Sequence, residues 1–290
     1  MFSKKAILLL FAAFTIVNGY SQNLFLDIYG GAINYGGDLQ AKNFTLQRAN
    51  LAAGLGLTYR LGSHLSIAAA YMHGKVDADD KLSYPALAFR NLSFSTSINE
   101  GSLRLEGDLW AIPEKRKITP YAFAGISVYS FNPYSYDSTG KKVYLQPLGT
   151  EGQGLSEFPE KKPYSLTQFA IPFGSGFKYA LSPEINVGAE LAFRKLFTDY
   201  FDDVSTNYVD TALLSAAHGP YASYFSFRGD ELKPPVEFQT NGKRGNPDFN
   251  DNFYTISLKI SFSLGNGSGR TMSSGSSKRF LRQSNCPKNL

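Results

Sequence analysis

Between Tyr254 and Leu264 the chain alternates without exception, with Tyr254, Ile256, Leu258, Ile260, Phe262 and Leu264 set against Thr255, Ser257, Lys259, Ser261 and Ser263. Period two gives a strand with one wholly apolar face. Eleven residues of it are enough to cross a bilayer as a tilted strand. The same pattern recurs over 51–60, 103–109, 168–179 and 185–194, and less cleanly over 24–35, 65–75 and 119–131. These segments predict eight strands.

Opposite the apolar faces stand Arg60, Arg104, Glu106, Asp108, Lys178, Glu190, Arg194 and Lys259. A soluble sandwich would put these charges in water, whereas a membrane barrel puts them inside and turns its apolar face to lipid. Alternation alone does not choose between the two. The connections do, because short links (Gly62–His64, Trp110–Ile118, Ser182–Glu184) alternate along the chain with long ones. That is the rule of outer-membrane barrels, with short periplasmic turns and long outer loops. The fold class expected is all-β, a transmembrane antiparallel up-and-down barrel with both termini in the periplasm. Eight strands leave an interior filled by side chains, so the eight charges are expected to form a paired polar plug and not a channel. Ten strands remain open if the loop after Asp203 hides a hairpin, for instance at Tyr221–Phe227.

Composition agrees. Aromatic residues make up 14% and charged residues 18% of the 290, and the mean hydropathy of −0.21 is too low for a helical membrane protein. Lys4 and Lys5 followed by the apolar run Ala6–Val17 and the small residues of Gly19-Tyr20-Ser21 read as a secretory leader. The expected organisation is a leader over residues 1–21, a barrel over 22–264 and a flexible basic tail over 265–290. The tail and the leader carry five and two basic residues and no acid, so the total of +5 leaves the barrel at −2. No nucleic-acid partner is implied. The single cysteine, Cys286, excludes an intramolecular disulfide.

Chemistry is sparse. His64, His73 and His218 lack metal-ligand spacing. Asp199, Asp202 and Asp203 lack the regular oxygen spacing and turn glycine of a calcium loop, and read as a solvated rim. Gly149–Gly154 lacks the strand and the Lys-Ser or Lys-Thr of a phosphate loop, and reads as a tight turn. No enzyme, cofactor, metal or small-molecule substrate is predicted, and the partners expected from the residues alone are outer-membrane lipids.

Several segments in order carry a resemblance: Gly30–Leu39, Arg90–Phe94, Thr119–Ile126, Leu145–Gly154, Tyr164–Gly174 and Arg194–Ser205. On these the chain resembles the PorG-like outer-membrane barrels of the Bacteroidetes type IX (gliding-associated) secretion system. The resemblance implies a non-enzymatic barrel that seats a periplasmic lipoprotein ring at the outer membrane. Such a partner is met from the periplasmic side, which singles out the charged turn Glu114, Lys115, Arg116 and Lys117 and the tail residues Lys278, Arg279 and Arg282. The tail departs from the common pattern. The competing expectation is a passive small barrel of the OmpX or OmpA type with ligand- or surface-binding loops.

Overall fold

The computed structural model describes residues 23–40, 42, 44–83, 87–111 and 117–265. Eight long strands form the wall: β1 (Leu24–Gly36), β2 (Asn50–Arg60), β3 (Leu65–Asp79), β4 (Ser93–Asp108), β5 (Ile118–Ser130), β8 (Thr167–Ala180), β9 (Ile185–Leu196) and β10 (Asn252–Ser263). Each pairs antiparallel with its sequence neighbour in the wall, and β1 pairs with β10 from Phe25↔Ser263 to Gly36↔Asn252. The β3–β4 pairing completes the ring. Closure leaves no unpaired edge in the wall, the condition for a sheet in hydrocarbon.

The eight predicted strands are the eight wall strands, with two differences. β4 begins at Ser93, well before the predicted Leu103. The added hairpin is not at Tyr221–Phe227, where a helix (Pro220–Ser226) follows another (Thr211–His218). It lies in the loop after β5, as β6 (Tyr134–Tyr136) and β7 (Lys142–Tyr144), and β6 pairs with β4 at Ser95↔Tyr134. Asp210 explains the first helix, since its carboxylate caps the Ala212 N–H at 2.8 Å. Pro220 at the start of the second helix fixes a helical φ where no amide donor is needed.

The short connections, 61–64, 109–117 and 181–184, share one end of the barrel. The long ones, 37–49, 80–92, 131–166 and 197–251, share the other. The exposed outer face carries Leu55, Leu103, Leu105, Ile126, Phe169, Phe177 and Leu258. The buried interior of the short-turn half carries Asp27, Arg104, Glu106, Glu190 and Lys259. Apolar outside and ionic inside is the inverse of a soluble barrel and the arrangement of an outer-membrane one.

That inversion does not run the full height of the wall. Along β3 the outward residues are Leu65, Ile67, Ala69 and Tyr71, and then His73, Lys75, Asp77 and Asp79. The inward residues change at the same level from Ser66 and Ala68 to Gly74, Val76 and Ala78. On β4 the outward Leu105 and Leu103 give way to Asn99, Ser97 and Ser95, while the inward Arg104 gives way to Ile98 and Phe94. The Tyr71 hydroxyl donates to Asn99 Oδ1 at 2.8 Å on the outer face, at the change of polarity. Below it the wall is built for lipid and above it for water. The upper half therefore holds an ordinary buried apolar core of Ile33, Tyr35, Val76, Phe94, Ile98, Tyr129, Phe131, Leu196, Phe201 and Phe253.

Candidate functional site

Two buried polar assemblies are stacked along the barrel axis. The lower one is the predicted plug. Glu106 is its hub, 3.0 Å from Lys178, 3.1 Å from Arg104 and 3.4 Å from Lys259. Arg104 also meets Glu190 at 2.8 Å and Lys178 meets Asp108 at 2.8 Å. Arg194 pairs at 3.0 Å with Glu100, and Lys259 at 3.2 Å with Asp27, two acids not among the eight expected charges. Arg60 departs from the expectation. Among the described residues no carboxylate lies within ion-pair distance of it, and its guanidinium lies 4.3 Å over the Phe25 ring at the short-turn rim. A cavity of about 30 Å³ separates Glu100 and Arg194 from Arg104 and Glu190, room for a water and not for a conduit.

The upper assembly is a closed cap, and five of the segments that carry the resemblance meet in it: Gly30–Leu39, Arg90–Phe94, Leu145–Gly154, Tyr164–Gly174 and Arg194–Ser205. Arg244 is its centre. This buried guanidinium lies 2.9 Å from Glu151 and 3.6 Å from Asp203, and donates to the carbonyls of Asp203 and Ser226. Glu151 also accepts the amides of Ser205 and Thr206 at 2.9 and 2.8 Å. Asp203 accepts the hydroxyls of Thr150 and Tyr164 at 2.6 and 2.7 Å. Arg90 binds Asp80 through two nitrogens, at 2.7 and 3.1 Å, and donates to the carbonyls of Asp38 and Arg244. Asp38, Arg90, Glu151 and Arg244 come one from each long loop, so the network ties all four loops together.

Beside it lies a second group of acids. The Tyr35 hydroxyl contacts both Asp202 Oδ2 and, at 3.2 Å, Asp251 Oδ1. A hydroxyl carries one proton, so both contacts are hydrogen bonds only if one carboxyl is protonated. Burial, reinforced by the charges of Asp38, Asp199 and each other, pushes Asp202 and Asp251 well above the usual carboxylate range. Burial pushes Asp203 up to about 6, against the pull of Arg244. Asp199 is pushed up to about 7 by burial, then by Asp38 and Glu151, with Ser205 acting the other way. Two glycines make room for these contacts. A Cβ at Gly37 would fall 1.8 Å from Asp251 Oδ1, and one at Gly245 would fall 2.5 Å from Asp38 Oδ2.

Asp199, Asp202 and Asp203 are thus not the solvated rim expected of them, because the loop 197–251 folds back over them and buries all three. Gly149–Gly154 is a turn as expected, with the added role of presenting Glu151. No group of three or more His, Cys, Asp or Glu suited to a metal ion occurs among the described residues. Of the predicted partner-contacting residues, Lys117 is exposed beside β5, and its carbonyl accepts the Ala180 amide at 2.7 Å. Glu114, Lys115, Arg116, Lys278, Arg279 and Arg282, like the leader and Cys286, lie outside the described residues.

Solved structures similar in fold include Neisserial surface protein A, at 10% identity over 83% of this chain and 97% of that one, with a TM-score of 0.42. The attachment invasion locus protein Ail of Yersinia pestis is 7% identical over 83% of this chain and 97% of that one, with a TM-score of 0.40. The N-terminal β-barrel domain of Pseudomonas aeruginosa OprF is 11% identical over 82% and 96%, with a TM-score of 0.34. No curated protein matches the chain in sequence. A family model described as "Domain of unknown function (DUF6089)" matches residues 4–216, most of the chain, and the protein therefore belongs to that family.

Proposed function

We propose that this outer-membrane barrel is a non-enzymatic component of the type IX secretion machinery that seats a periplasmic lipoprotein ring at the membrane. The observation that carries the reading is the ordered set of PorG-like segments, from Gly30 to Ser205. Five of them contribute to one cap and so belong to one architecture. The filled interior fits an anchor better than a pore, since the ion pairs around Glu106 and the apolar core above them leave no path through the barrel.

In this reading the short turns face the periplasm and the long loops face out. The ring then meets the turn Glu114–Lys117, the neighbouring short turns and the basic tail with Lys278, Arg279 and Arg282. Reversing Lys115, Arg116 and Lys117 to Glu is expected to reduce co-purification of the ring with the barrel at unchanged barrel level. Unchanged co-purification removes that turn from the interface, and the same result on deleting residues 265–290 as well removes the tail.

A second reading is favoured by one observation. The ordered mass outside the wall lies at the long-loop end, where Tyr136, Tyr144 and Tyr221 are exposed. A passive barrel with a ligand- or surface-binding cap would present such a face. It predicts that deleting the gene leaves secretion intact.

A further inference from the structure

A groove of about 620 Å³ runs down the outside of the barrel between the segment ending the last long loop and the wall at β8 and β9. It straddles the polarity change. Its floor is Phe173 and Phe193, paired across β8 and β9 with ring centroids 5.8 Å apart. Both belong to outward rows, and the β9 row turns polar at its last outward residue, Lys195. Its upper wall includes Asp248, Phe249 and Asn250, all exposed, with Phe249 at 73%. Among the described residues the side chains of Asp248 and Asn250 make no hydrogen bond.

An occupant must then be apolar below and hydrogen-bonding above, and must reach the groove sideways from the membrane. The chemistry of the wall narrows it further. A carboxylate and an amide side by side accept from and donate to hydroxyls, and the bare face of Phe249 suits the C–H face of a sugar ring. Lys195 offers a cation at the height of a lipid headgroup, suited to phosphate. We infer that this groove binds a phosphorylated glycolipid of the leaflet around the long-loop end. Its acyl chain lies on Phe173 and Phe193, its sugar against Asp248, Phe249 and Asn250, and its phosphate near Lys195. The site exists to be filled in the cell only if the long loops face out, which is the orientation proposed above.

The test uses the full mature chain in mild detergent, where orientation plays no part. It is mixed with rough lipopolysaccharide or with phosphatidylglycerol, and retained lipid is read by native mass spectrometry. The wild type is expected to retain the glycolipid at least tenfold more strongly than the phospholipid. A triple variant, Asp248→Ala, Phe249→Ala and Asn250→Ala, should fall to the phospholipid level with its melting temperature unchanged. Lys195→Glu should weaken retention of the glycolipid but not of its dephosphorylated form. Equal retention of the two lipids by the wild type, or glycolipid retention untouched by the triple variant, overturns the inference. Orientation is read separately, by labelling an Asp248→Cys variant that also carries Cys286→Ser on intact cells with a membrane-impermeant thiol reagent, so the two failures are told apart.

Discussion

Arg244 and Glu151 are 93 residues apart in the chain, and both are buried where they meet at 2.9 Å. Neither charge reaches water, so each depends on the other and on the amides and carbonyls around them. Removing one partner of a buried pair strands the other, at about 3–5 kcal/mol. Arg244→Met is therefore expected to loosen the cap while the wall strands persist. Limited proteolysis in detergent should show new cleavage confined to the long loops, and unchanged resistance would contradict the network's role.

The lower assembly predicts the converse. Glu106 faces three cations, and Glu106→Ala leaves Lys178, Lys259 and Arg104 short of a shared counter-charge. A loss of about 3–5 kcal/mol is expected, read as an earlier midpoint in urea unfolding from lipid vesicles. Glu106→Gln should lose less, because the amide oxygen still accepts.

The polarity change on the outer face is testable with two lysines. Leu258 is 69% exposed in the middle of β10, and Leu258→Lys should cost about 2–4 kcal/mol, as a cation facing the bilayer midplane does. His73→Lys, one step above Tyr71, should cost little. Similar losses at both positions would mean that lipid covers the upper wall as well.

The cap acids give stability a pH dependence of known sign. The unfolded chain holds an ordinary aspartate near 3.9, and Asp199 in the cap is raised to about 7. A raised folded value means the folded state binds the proton more tightly. Its contribution is complete below the unfolded value and is lost as pH rises through about 7. Protection factors of the loop 197–251, taken relative to the intrinsic exchange rate at each pH, should therefore be higher at pH 5 than at pH 8, and Asp199→Asn should reduce the difference. Lower protection at pH 5 would reverse the assignment.

The wall was legible because period two survives any environment. The eight strands, the alternation of short and long connections and most of the lower plug could be read from it. What lies above the polarity change could not. On β4, Ser93, Ser95, Ser97 and Asn99 face out and Phe94, Thr96 and Ile98 face in. That is the reverse of the lipid-facing code, so the lipid-facing pattern starts only at Leu103. The cap was hidden for another reason. Arg90, Glu151, Asp203 and Arg244 are far apart in the chain and share no local spacing, and Asp199–Asp203 look solvated until the chain returns over them. Two local signals do mark the helices of the last long loop, the Asp210 cap and Pro220.

The periplasmic partner separates the two functions. A mild-detergent pull-down of the tagged barrel from its own outer membrane, with mass spectrometry of the co-purifying proteins, addresses it directly. A periplasmic lipoprotein ring is expected with it in stoichiometric amount. Recovery of the barrel alone, with secretion intact when the gene is deleted, would contradict it.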